Sequence, residues 1–139
     1  MTATAAQIAQ VRRMVAESTE DTYTDEAIQT YIEAHPVMDA RGEDPWVEST
    51  TTPGTLEENE DWTATYDLYA AAADIWQEKA AALAADFDFS TADQSFKRSQ
   101  AHQNALQQVR YYLSRRRVMN IKTRPEPRLE SATEQSNAD

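Results

Sequence analysis

Eight residues between positions 62 and 87 recur at alternating spacings of four and three: Trp62, Tyr66, Tyr69, Ala73, Trp76, Ala80, Leu83 and Phe87. Such spacing brings side chains onto one stripe of a helix, and it predicts a long helix over about 61–86. A second stripe, Leu68, Ala72, Ile75 and Ala82, runs beside the first, while Asp67 and Asp74 mark the opposite side. Alanines let neighbouring helices approach closely, and the rings between them fill the remaining volume. This is a central, two-sided helix that requires more than one partner.

Three further helices are predicted around it. The first covers about 4–17, with Thr4, Ile8, Val11 and Val15 on one stripe, and the run Ser18-Thr19-Glu20-Asp21-Thr22 ends it. The second covers about 24–35. Thr24 is its N-cap, Asp25 and Glu26 sit at the positive end of the helix dipole, and Tyr23 is placed to staple onto Ile28. Ile28, Tyr31 and Ile32 form its buried face, and Pro36 stops it. The fourth helix, about 93–116, follows a polar corner at 88–93 whose short oxygen-bearing side chains suit a turn and a cap. Its stripe is His102, Leu106, Val109 and Leu113, and Arg115, Arg116 and Arg117 close it at the negative dipole end. The expected fold is all-α, four principal helices in a compact bundle. Ile28, Tyr31, Tyr69, Trp76, Leu83, Leu106 and Val109 are its expected core.

Between the second and third helices, residues 37–60 hold two glycines, two prolines and seven acidic residues, with no period. They read as a long loop. Trp46 within it is a possible anchor. Residues 118–139, with two prolines and a polar composition, read as an extended or disordered tail. At 139 residues the chain suits one helical domain, 1–117, followed by that tail. There is no cysteine, which excludes disulfides and thiolate chemistry. No apolar run is long enough to span a bilayer, and the start, MTATAAQIAQVRR, lacks signal-peptide order. A soluble cytosolic product is expected.

Charge divides the chain. Residues 1–93 carry 20 acidic and 4 basic side chains, whereas 94–139 carry 4 acidic and 9 basic. Catalysis has little to stand on: the two histidines, His35 and His102, fall on different predicted helices, and no HExxH, EF-hand or phosphate-cradling pattern occurs. Asp74 and Glu78 lie one turn apart, a routine spacing on a solvated face. No enzyme activity, cofactor or metal is expected. The Arg110–Arg124 region, with Tyr111 and Tyr112, combines cations and rings as nucleic-acid binders do. A small helical nucleic-acid-binding or regulatory protein is therefore the alternative.

Three stretches, VRRMVAESTEDTYTDEAIQTYIE, YAAAADIWQEKAAALA and DFDFSTADQSFKRSQAHQNALQQVRYYLSRR, occur in an order that resembles the head–tail connector (adaptor) family of long-tailed bacteriophages. Together they cover about half of the chain. The loop at 37–60 is longer than the short link of that pattern, and the tail is extended. The resemblance implies a virion protein, made in the host cytoplasm and assembled at the neck. There it would form a ring, expected to be a dodecamer, below the portal protein. Such a ring extends the DNA channel and presents a docking surface to a stopper, head-completion or tail-terminator protein. DNA would pass without sequence-specific binding, and no membrane is involved. Within that role, Glu57, Glu58, Glu60 and Asp61 are expected to border the channel or tail side, where carboxylates repel phosphates. Arg115, Arg116, Arg117, Lys122, Arg124 and Arg128 are expected to dock on the portal.

Overall fold

The structure, a computed structural model, describes residues 2–85 and 92–117, with side chains in the second segment from residue 99 onward. It is mostly helical, with four helices and one small antiparallel sheet: α1 (Ala5–Met14), α2 (Asp25–Glu33), β1 (Trp46–Glu48), β2 (Leu56–Glu58), α3 (Leu68–Ala85) and α4 (Ala92–Ser114). The sheet corrects the all-α expectation.

α1 opens on a capping box, in which the Gln7 amide donates to the Thr4 hydroxyl and the Thr4 amide donates to the Gln7 side chain. Thr4 is thus a cap and is exposed, while Ile8, Val11 and Val15 are buried. The helix stops at Met14, short of the predicted end. The Glu17 amide donates to the Arg12 carbonyl and the Ala16 amide to the Arg13 carbonyl, at 3.0 and 3.3 Å. These are the two bonds of a Schellman ending, and they place Ala16 at a left-handed φ of 57°. Arg12 then braces the turn to α2: it donates to the carbonyls of Thr19 and Tyr23 and pairs with Asp25 at 2.5 Å. α2 starts where the Thr24 hydroxyl accepts from the Ala27 amide, and Tyr23 and Ile28 are both buried beside it.

α3 begins at Leu68, not near 61. Trp62 and Tyr66 are buried, but they reach the core from non-helical chain, with their rings edge to face at 5.7 Å. That chain is stitched to the end of α2. Tyr66 bridges Pro36, the Val37 amide donates to Thr65 and the Asp67 amide to His35, both at 2.9 Å. Asp67 then starts the helix by accepting from the amides of Tyr69 and Ala70 at 3.1 Å. It is a buried N-cap, not a residue of the solvated side.

α3 packs on each of the other three helices. Ala70, Ala71, Ala72 and Ala73 are all buried, so this turn is enclosed on every side. Tyr69, Trp76 and Tyr31 are half-buried and pack on the core cluster, whereas Ile28, Ile32, Ile75, Val11 and Val15 lie fully inside it.

α4 presents a different face from the expected one. Ala105 and Tyr112 are buried, Ala101, His102, Gln108 and Val109 are half-buried, and Leu106 and Leu113 are 37% and 45% exposed. Leu106 is therefore not a core residue. Close approach to the alanines of α3 favours small Ala105 at the contact, and this turns the leucines outward. Leu83 is half-buried on the α3 side.

The last carbonyls of α1 would otherwise be unsatisfied. Trp76 Nε1 and the Tyr112 hydroxyl both donate to the Met14 carbonyl, at 3.2 and 2.9 Å. Lys79 Nζ donates to the Val15 carbonyl at 2.6 Å and pairs with Glu17 at 2.5 Å. The same ammonium lies 4.9 Å from the Trp76 ring centroid. Glu78, between them, accepts a hydrogen bond from the Tyr31 hydroxyl, which raises the phenol to a pKa of about 12 together with burial.

Two stability predictions follow from the α1 terminus. Ala16→Gly removes a left-handed alanine and stabilises the fold by about 0.5–1 kcal/mol, read as a higher urea midpoint at unchanged slope. Tyr112→Phe costs about 1 kcal/mol while Trp76 still serves the Met14 carbonyl. In a Trp76→Phe background the same change costs about 0.5–1 kcal/mol more, because the acceptor loses its last donor; a double-mutant cycle in urea measures this coupling.

Candidate functional site

The segment expected to be a loop, 37–60, is a braced β-hairpin. Its base is built on two buried polar side chains, Asp39 and Asn59. Asp39 accepts from the amides of Arg41, Glu43 and Thr63 at 2.8, 3.0 and 3.0 Å. Gly42, at φ 86°, allows the tight turn that brings these amides round. Arg41 spans the base, donating to the Asp39 carboxylate and to the Asp61 carbonyl. On the other arm, Asn59 donates to the Asp44 carbonyl at 2.9 Å and accepts from the Asp61 amide at 3.0 Å. Trp62 seals the base from inside, its indole N–H donating to the Val37 carbonyl at 2.9 Å.

Above this base the strands are short and solvated on both sides. β1 and β2 pair Trp46 with Glu58, Val47 with Glu57 and Glu48 with Leu56. Directly opposed residues share a face. One face therefore carries Trp46, Glu48, Leu56 and Glu58, and the other Val47 and Glu57. All six are exposed, Trp46 at 46% and Leu56 at 70%. Of the expected acidic set, Glu57 and Glu58 thus point to opposite faces, while Glu60 and Asp61 lie exposed in the turn after β2.

Half of the basic set lies at the end of α4. Arg115, Arg116 and Arg117 are exposed at the end of α4, and Arg115 lies 4.6 Å from the centroid of the Tyr111 ring. Lys122, Arg124 and Arg128 lie outside the described residues. One buried carboxylate links the two regions: Asp67, which starts α3, also accepts from the Arg117 amide at 2.9 Å. Nothing in the sequence pattern marked this junction, since it needs the ends of α2, α3 and α4 to meet.

The remaining polar residues singled out in the sequence have structural partners. His35 Nε2 lies 2.6 Å from Asp74 Oδ2, and His102 Nδ1 lies 2.9 Å from the Ala80 carbonyl. Asp74 and Glu78 thus bind His35 and Tyr31 respectively, not one shared ligand. Among the described residues, no group of three or more His, Asp or Glu could hold a metal ion. No described helix is long and apolar enough to cross a membrane.

Hydrogen bonds from the Thr63, Glu43 and Arg41 amides hold Asp39 at a pKa of about 2, below its ordinary 3.8. A lowered carboxyl stabilises the fold above its unfolded value and loses that contribution as pH falls towards the folded one. The hairpin base is therefore fully held above about pH 5 and loosens as pH falls through roughly 4 to 2. The indole N–H resonance of Trp62 should shift over that window, and Asp39→Asn should flatten the acid response.

Compared with known proteins, the chain matches no protein-family model, no curated protein and no solved structure.

Proposed function

We propose that the chain is a head–tail connector of a tailed-phage type of particle, a ring subunit with no catalytic step of its own. In this reading the four helices form a compact bundle as the body of each subunit. The ring, a dodecamer in the particle, sits below the portal protein and prolongs the DNA channel. Its far side receives a stopper, head-completion or tail-terminator protein.

The observation that carries the reading is the separation of charge between the hairpin and the end of α4. The hairpin and its base are acidic, and the end of α4 is basic. Two unlike surfaces on one subunit suit a heterologous, ring-forming contact. An acidic flank along a channel keeps phosphates from adhering, and Glu57, Glu58, Glu60 and Asp61 are assigned to it. Arg115, Arg116 and Arg117, with Lys122, Arg124 and Arg128 in the tail, are assigned to the portal. The residues behind the resemblance also have a physical role: Trp76, Glu78 and Lys79 fix α1 and α2 onto α3.

Immunogold electron microscopy of particles made by the producing cells tests this. Label is expected at the vertex where head meets tail, and particles lacking residues 118–139 of the chain should lose it while the purified variant keeps its helical signal. Label absent from particles, or spread over the shell, would rule the proposal out. So would tight DNA binding by the purified chain with a steep salt dependence, which is the signature of the nucleic-acid-binding alternative.

A further inference from the structure

The outward face of α4 matches the outward face of the hairpin. Leu106, Arg110 and Leu113 follow one another at spacings of four and three within α4, so they form one exposed stripe in which an arginine stands between two leucines. On the hairpin, Trp46 and Leu56 occupy one diagonal of an exposed face, and Glu48 and Glu58 the other. From these two surfaces we infer that the hairpin of one copy lies across the α4 stripe of a second copy, head to tail. The inference rests on the connector reading for the purpose of the contact, but the contact belongs to the isolated protein.

Dimensions and charge support the fit. Diagonal neighbours on a hairpin stand roughly 7–8 Å apart, and residues seven apart on a helix stand about 10.5 Å apart along the axis. Side-chain reach covers the difference. Each leucine then meets an apolar hairpin side chain, and Arg110 between them meets the carboxylates of the other diagonal, Glu48 and Glu58. Segment 94–117 has six basic residues and no acidic one, whereas 37–60 has seven acidic residues and one arginine. That arginine, Arg41, is engaged at the hairpin base. No arginine of the α4 end forms an ion pair among the described residues.

The second copy is the occupant because both surfaces are exposed within one chain, so neither covers the other there. A two-stranded hairpin with both faces in water is marginal alone, and burying Trp46 and Leu56 against leucines removes that weakness. Unlike surfaces also add copies in one direction, which closes into a ring or continues as a filament. Glu58 thereby turns from the channel to the neighbour, while Glu57, on the opposite face, stays available to it.

The 139-residue chain, which lacks cysteine, gives a direct test. A Leu56→Cys/Leu113→Cys variant should form a ladder of disulfide-linked multimers on mild oxidation, and each single variant no more than dimers. In sedimentation velocity at low salt, Glu58→Arg and Arg110→Glu should each weaken self-association by about tenfold or more, and their combination should recover most of it. Circular dichroism of the exposed-site variants checks that they fold. A wild-type chain that stays monomeric would overturn the inference, as would absence of the ladder, charge reversals without effect, or association lost on deleting 118–139. Trp46 emission that responds only to added DNA or portal rings would assign the face to those partners and also reject it. Variants that cannot self-associate through this face yet still label the neck would sink this contact and spare the connector reading. Head-to-tail association without neck label would do the reverse.

Discussion

The arrangement depends on how the carbonyl end of α1 is satisfied. A ten-residue helix is marginal in water, and its terminal carbonyls are costly to bury without donors. Here the donors come from distant positions: Trp76 and Lys79 on α3, and Tyr112 on α4. One backbone terminus therefore specifies how three helices meet. Apolar burial alone would tolerate sliding of alanine faces past each other. Two donors converging on the Met14 carbonyl, beside an ammonium on Val15, do not.

That dependence explains what was legible in the sequence. The four helices were readable because amphipathic spacing is local, and Thr24 was readable as a cap because the cap sits beside the turn it starts. The burial of Ile28 followed from the same local logic. Thr4 was misplaced because a cap and the first member of a stripe can share a position. α3 was predicted seven residues too long at its start because Trp62 and Tyr66 fill the same side of the core from non-helical chain that a helix would have filled. Periodicity reports where a side chain is buried, and only the Asp67 cap tells where the helix begins.

The hairpin and the α4 face failed for other reasons. Three-residue strands exposed on both faces leave no alternating apolar signal. What holds them is polar: Asp39 and Asn59 gather amides from residues that are distant in the chain. A carboxylate held at a pKa of about 2 by backbone donors looks, in sequence, like one more acid in an acidic loop. On α4, reading the largest apolar side chains as the inner face chose Leu106, whereas contact with an alanine-walled helix chose Ala105. Size ranks burial well only where the partner surface leaves room. The leucines it displaced are exposed.

Asp67 connects these surfaces mechanically. One of its oxygens starts α3 directly after the hairpin's return arm, and the other holds the Arg117 amide at the end of α4. The acidic and basic regions are therefore fixed to the same buried carboxylate. For subunits that join by unlike faces, the angle between those faces determines whether successive copies close or spiral. A flexible link would give a distribution of angles and a mixture of assemblies. A capped helix start that also holds the end of its neighbour narrows that angle, which is what the proposed ring requires.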